Sequence, residues 1–122
     1  MQKQKVIDGV TLSETEKEIA LQYCREVSIF NLEQGLPKAF LHNEYDACIC
    51  SHVLEHICWA ENILQDISKV LAKNGVLIVA LPNLMHYNFR LKLLKGNFNY
   101  QESGVMDNTH FRWYTFETGK NY

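Results

Sequence analysis

The chain has 122 residues, 47% hydrophobic and 21% charged, the balance of a single soluble globular domain. A net charge of -2 gives no electrostatic basis for binding nucleic acid or an acidic membrane surface. The longest aliphatic run, Val76 to Leu81, is far short of the ~20 residues a membrane-spanning helix needs.

Met1 to Lys5 has no signal-peptide apolar core and leads into a brief β-branched strand, Lys5 to Val10, ending at Gly9-Val10. Ser13 and Glu16 are spaced as a capping box, and Glu14 to Tyr23 then carries Ile19, Ala20 and Tyr23 at helical intervals. Glu26 to Leu32 alternates and is rich in β-branched and aromatic residues, so it is predicted to be the next strand. Gln34-Gly35-Leu36-Pro37 is turn chemistry.

Tyr45 to Cys50 is the predicted central strand, and it runs into Ser51, His52, Glu55 and His56. Trp59 to Ala72 places Ile63, Ile67, Val70 and Leu71 on one helical stripe, with Asn74-Gly75 as a glycine stop. Val76 to Leu81 shows no polar alternation, the pattern of a strand covered on both faces. Tyr87 to Leu94 reads as a short helix broken at Gly96 to Tyr100, and Asp107 to Trp113 is polar and aromatic together. Thr115 with Thr118 opens a last helix.

The order is β-α-β-β-α-β followed by an irregular segment. That implies an α/β fold with a parallel sheet and right-handed crossovers. Ligands bind beyond the carboxyl ends of such strands, so the polar cluster at 51–56 marks the expected site. Cys24, Cys48, Cys50 and Cys58 accompany no secretory signal; they read as reduced thiols of a cytoplasmic protein, packed as small hydrophobes.

One motif competes. His52-Val53-Leu54-Glu55-His56 is a literal H-x-x-E-H, and two histidines four apart on a helix can share a zinc ion, with Cys48, Cys50 and Cys58 close by. Against it, the residues before His52 read as a strand, and no third ligand on a supporting helix follows. The expected site therefore has no metal, and zinc at His52 and His56 is the lesser alternative.

Five stretches, in order and spacing, carry a family resemblance: DGVTLSETEKEIA (8–20), FNLEQGLP (30–37), YDACICSHVLEHI (45–57), VLAKNGVLIVALPN (70–83) and HYNFRLKLLKGNFNYQESGVMDNTHFRWYTFET (86–118). Together they resemble class I S-adenosylmethionine-dependent methyltransferases, in the branch similar to methionine-biosynthesis W-type proteins and sugar-pathway methyltransferases. The resemblance implies a Rossmann-like doubly wound sheet, S-adenosyl-L-methionine as cofactor and a small-molecule or sugar-type methyl acceptor.

Residue by residue, it places the cofactor ribose at Gly9, Thr11 and Leu12, in a GVTLS similar to the cyclopropane-synthase version of the motif. Glu16 stands where that version has a ribose-binding glutamine; its alternative role is to close the capping box. Asn31 and Leu32 hold the adenine positions, Asn31 replacing an aspartate or else simply ending a strand. Ser51 and His52 border the methionine part. His56 and His110 are candidate bases, or alternatively structural histidines. Glu55, Asn83, His86, Tyr87, Arg90 and Arg112 fall on the acceptor side, the arginines as clamps for a carboxylate or phosphate, or else as solvated surface.

The family's first strand and glycine-rich loop have no counterpart before Val6, and its last two strands none after Tyr122. The chain is thus expected to be a partial domain, with 1–83 as a cofactor-side core and 84–122 as an acceptor-side segment. On that expectation it binds cofactor weakly unless a second copy or a complementing chain completes it. The competing expectation is a non-catalytic α/β remnant that binds a partner through open strand edges.

Overall fold

The computed structural model describes residues 5–121, and statements of absence below concern those residues. The chain runs β1 (Asp8–Thr11), α1 (Glu14–Ala20), β2 (Glu26–Ile29), a 3-10 turn (Leu32–Gln34) and β3 (Tyr45–Ser51). A second 3-10 turn (Leu54–His56), α2 (Ala60–Val70), β4 (Leu71–Ala80), α3 (Tyr87–Leu94) and α4 (Phe116–Lys120) complete it. The predicted β-α-β-β-α-β order and the parallel pairing are both present. The fold is mixed α/β.

The strands form two small parallel sheets. β1 pairs with β2, Thr11 opposite Ile29, and β3 pairs with β4, Cys50 opposite Val79. No backbone ladder joins the two sheets. A polar clip links them instead: the Tyr45 hydroxyl donates to Asp8 Oδ2 at 2.8 Å, and Arg25 pairs with the same carboxylate. The Asp8 side chain is only 2% exposed, so its charge depends on these partners.

The core gathers around α2. Ala60, Ile63, Ile67 and Val70 recur every three or four residues, form one buried stripe, and share the core with Cys50, Leu54 and Ile57. Each of the isoleucines contributes about 1.5–3 kcal/mol by leaving water. The loop before β3 docks on this helix at Gly35, which is buried at φ +92. A Cβ there would lie 2.5 Å from Asp66 Oδ2, the atom that accepts the Leu36 N–H at 3.2 Å.

Four expectations need correction. Helix α1 ends at Ala20, and Ile19 and Tyr23 are 57% and 76% exposed, because the four-residue strands β1 and β2 offer it too small a face. β2 stops at Ile29 because Asn31 turns the chain into a 3-10 cap. Asn74-Gly75 does not stop α2; the chain passes from Val70 straight into β4, where the register jumps from Leu71 opposite Tyr45 to Val76 opposite Ala47. Gly75 lies in that bulge, where a Cβ would meet the carbonyls of Ala72 and Tyr45 at 3.0 Å.

The fourth concerns β4, which is not covered on both faces. Val76 and Ile78 are 53% and 51% exposed, Leu77 and Val79 37% and 38%. Only β3 pairs with this strand, so its aliphatic character has no matching cover among the described residues.

Candidate functional site

The carboxyl ends of β1, β2 and β3 carry most of the predicted site residues. At the end of β1 the Thr11 hydroxyl donates to Glu16 Oε2 and accepts the Ser13 N–H at 3.1 Å. Ser13 caps α1 by accepting the Glu16 N–H at 3.3 Å. The capping box is therefore half formed: Thr11 captures the carboxylate that would have closed it. Gly9 lies inside β1, where an added Cβ would meet Val27 and Cys24 at ordinary contact distance, and Leu12 is exposed.

Asn31 follows Phe30, whose N–H donates to the Thr11 carbonyl at 3.0 Å, so it stands just past β2 where β2 lies against the end of β1. Its side chain accepts the Glu33 N–H at 3.0 Å, which caps the first 3-10 turn and fixes the amide oxygen at the sheet edge. Leu32 packs partly into the core. Asn31 does end the strand region, yet its oxygen keeps a second lone pair.

At the end of β3, Ser51 is exposed and His52 takes the left-handed conformation, φ +52. That conformation is costly for a residue with a side chain, about 1–2 kcal/mol. It swings the chain from the strand into the second 3-10 turn and turns Glu55 into the interior, where it is fully buried. His52 Nδ1 lies 3.3 Å from Glu55 Oε1, with the imidazole 62% exposed.

His52 and His56 thus share no helix, and the H-x-x-E-H reading fails on backbone geometry. The tail supplies another neighbour. The N–H groups of Phe111 and Arg112 both donate to the Glu55 carbonyl, at 2.8 and 3.3 Å, and this docks His110 beside His56. The two rings meet edge to face, with centroids 4.6 Å apart.

Sequence reasoning missed two supporting residues. Thr109 Oγ1 donates to Asp107 Oδ1 at 2.6 Å and lies 3.1 Å from His56 Nδ1. Hydrogen bonds from the Thr109 hydroxyl and N–H hold the Asp107 carboxyl below its usual range. The signal was present in Asp107-x-Thr109, an Asx-turn spacing just before His110.

The remaining acceptor-side candidates do not converge on this cluster. Asn83 Oδ1 accepts the Met85 N–H at 2.9 Å, and Asn83 bridges Tyr114 in a single parallel step. His86 and Tyr87 stack on each other at 4.7 Å, and Arg90 lies exposed on α3. Arg112 is engaged by Glu61 and by the Cys58 carbonyl at 2.9 Å, contacts that fasten the tail to α2. A cavity of about 480 Å3 opens on the α4 side of β4, lined by Leu64, Leu77, Val79, Leu81 and Phe116, with Asn83 at its rim.

The model of the methyltransferase domain family matches residues 2–79, well over half of the chain. The chain belongs to that family. The match spans β1 to β3, α2 and nearly all of β4, and so includes Thr11, Glu16, Asn31, Ser51 and His52. The segment that brings His110 to His56 lies outside it. Methyltransferases of this family typically bind S-adenosylmethionine. A comparison with curated proteins finds no match to the chain. No helix among the described residues is long and apolar enough to cross a membrane.

Proposed function

We propose that this methyltransferase binds S-adenosyl-L-methionine across the carboxyl ends of β1, β2 and β3. The methyl acceptor is a small molecule or a sugar-type molecule approaching from the 83–112 side. The observation that carries this reading is that Thr11 with its partner Glu16, and Asn31, follow the carboxyl ends of the paired strands β1 and β2, which the Phe30–Thr11 backbone bond holds in step. A carboxylate accepts from two vicinal hydroxyls, and an amide oxygen accepts from an exocyclic amine. Those are the donors of a ribose and an adenine.

The residues present fit that half of the cofactor. Glu16 is exposed and has an oxygen not used by Thr11; Asn31 is pinned by its cap; Leu32 offers an apolar surface to a ring. Ser51 and His52 stand nearest the reacting end. When bound, the cofactor supplies an electrophilic methyl group. The chain's own contribution is mostly positioning, since in-line displacement at carbon needs a base only where the acceptor must lose a proton.

In the same proposal the complete sheet is wider than four strands. β1 and β3 each pair on one side only and β4 is uncovered, which supports further strands between β1 and β3 and beside β4. More of the same protein, a second copy or a complementing chain would supply them.

The test is calorimetric titration of S-adenosylhomocysteine into the 122-residue chain. One-to-one binding is expected, weakened about tenfold in Asn31→Ala and in Glu16→Gln, roughly 1.4 kcal/mol each. Binding that both substitutions leave unchanged would remove the cofactor from this edge.

A further inference from the structure

Positioning for methyl transfer leaves one group of side chains unexplained. Glu55 is fully buried, yet its Oε2 has no hydrogen-bond partner among the described residues. Its other oxygen meets only His52 Nδ1, at 3.3 Å. A carboxylate oxygen cut off from water with nothing opposite it is costly unless a cation or a proton faces it.

What stands beside it is a pair of imidazoles. One donor atom each from Glu55, His56 and His110 lies within 4.8 Å of the other two. The protein contacts also assign the ring nitrogens. His110 Nδ1 lies 3.3 Å from the Val105 carbonyl, and His56 Nδ1 3.3 Å from the Thr109 carbonyl. A carbonyl only accepts, so each Nδ1 carries a proton, and in the neutral ring Nε2 then keeps its lone pair. For His56 the assignment is reinforced, because the Thr109 hydroxyl gives its own proton to Asp107 and can only accept from the ring. Metal-bound imidazoles characteristically donate one ring N–H to a carbonyl in this way and ligate through the other nitrogen.

We infer that Glu55, His56 and His110 bind one divalent transition-metal ion as a two-histidine, one-carboxylate set with coordination positions left open. Such ions hold nitrogen and oxygen ligands at about 2.0–2.2 Å, which puts ligand atoms roughly 3–4 Å apart. The group closes on an ion by small side-chain rotations. Its mixed imidazole and carboxylate donors suit zinc, manganese, iron(II) or cobalt, and exclude calcium, which takes six to eight oxygens. No thiolate takes part, and His52 acts on Glu55, not on the ion. The site does not depend on cofactor binding.

The test titrates cobalt(II) and zinc(II) separately into the 122-residue chain, following heat and, for cobalt, the visible spectrum. One ion per chain is expected, with nitrogen and oxygen ligation and no thiolate charge-transfer band. Glu55→Gln, His56→Ala and His110→Ala are each expected to weaken binding at least tenfold, and Cys58→Ser to leave it unchanged. Proton NMR of the unsubstituted chain decides even where a variant fails to fold. Cobalt should shift the ring protons of His56 and His110 and leave those of His42 and His86 in place. No saturable binding, a thiolate band, or unshifted His56 and His110 signals would overturn the inference.

Discussion

At the scale of single residues, spacing names the partner of one side chain and misses that of another. Glu16 is three residues from Ser13, yet its carboxylate turns to Thr11, which lies across the strand end and offers a hydroxyl donor. Asp107, by contrast, takes the partner its Asx-turn spacing suggests, Thr109, and holds that hydroxyl under His56. Thr109→Val removes the largest of the contacts that depress the Asp107 carboxyl. Its titration midpoint, followed by carboxyl carbon NMR, is expected to rise toward the ordinary aspartate value. A midpoint that did not move would mean that the backbone N–H alone sets it.

At the scale of elements, the α2 unit shows why some junctions allow no substitution. The loop at Gly35 has to pass close to Asp66, whose oxygens are already fixed by the Leu36 N–H and by Lys69 at 2.9 Å. Gly35 also adopts φ +92, ψ -160, a region open to glycine and essentially to nothing else. Gly35→Ala is expected to cost about 1–3 kcal/mol on conformation alone. That corresponds to a fall of several degrees in a thermal melt. An unchanged melting temperature would show that this loop is not anchored to α2.

At the scale of the whole molecule, the weak point is the joint between the two sheets. Burial pushes the Asp8 carboxyl up, but hydrogen bonds from Arg25 and Tyr45 and the Arg25 charge outweigh it, leaving the group below its ordinary 3.8. A depressed carboxyl stabilises the fold above its unfolded value, and that stabilisation is lost as pH falls through the folded one. Acid unfolding is therefore expected to have a component below about pH 4 that Asp8→Asn removes, measured by circular dichroism against pH. At neutral pH, Tyr45→Phe deletes one hydrogen bond to the clip and should cost about 0.5–1.5 kcal/mol in denaturant unfolding.

The strand and helix order, the parallel pairings and the α2 stripe were legible in the sequence, because they depend on short-range periodicity that each segment carries by itself. The change from an apolar run to a polar cluster at 51–56, just past the end of β3, was legible for the same reason. What surrounds each element was not. The six-residue run Val76 to Leu81 is aliphatic enough for a buried strand, but cover comes from other parts of a fold, and here β4 has only β3 beside it. The joining of His110 to Glu55 and His56 spans more than fifty residues and rests on two backbone hydrogen bonds to one carbonyl. No spacing rule reaches that far. Sequence determined which residues could do chemistry; only the docking of the tail on the second 3-10 turn decided which of them meet, because contact between distant segments is settled by packing and not by local pattern.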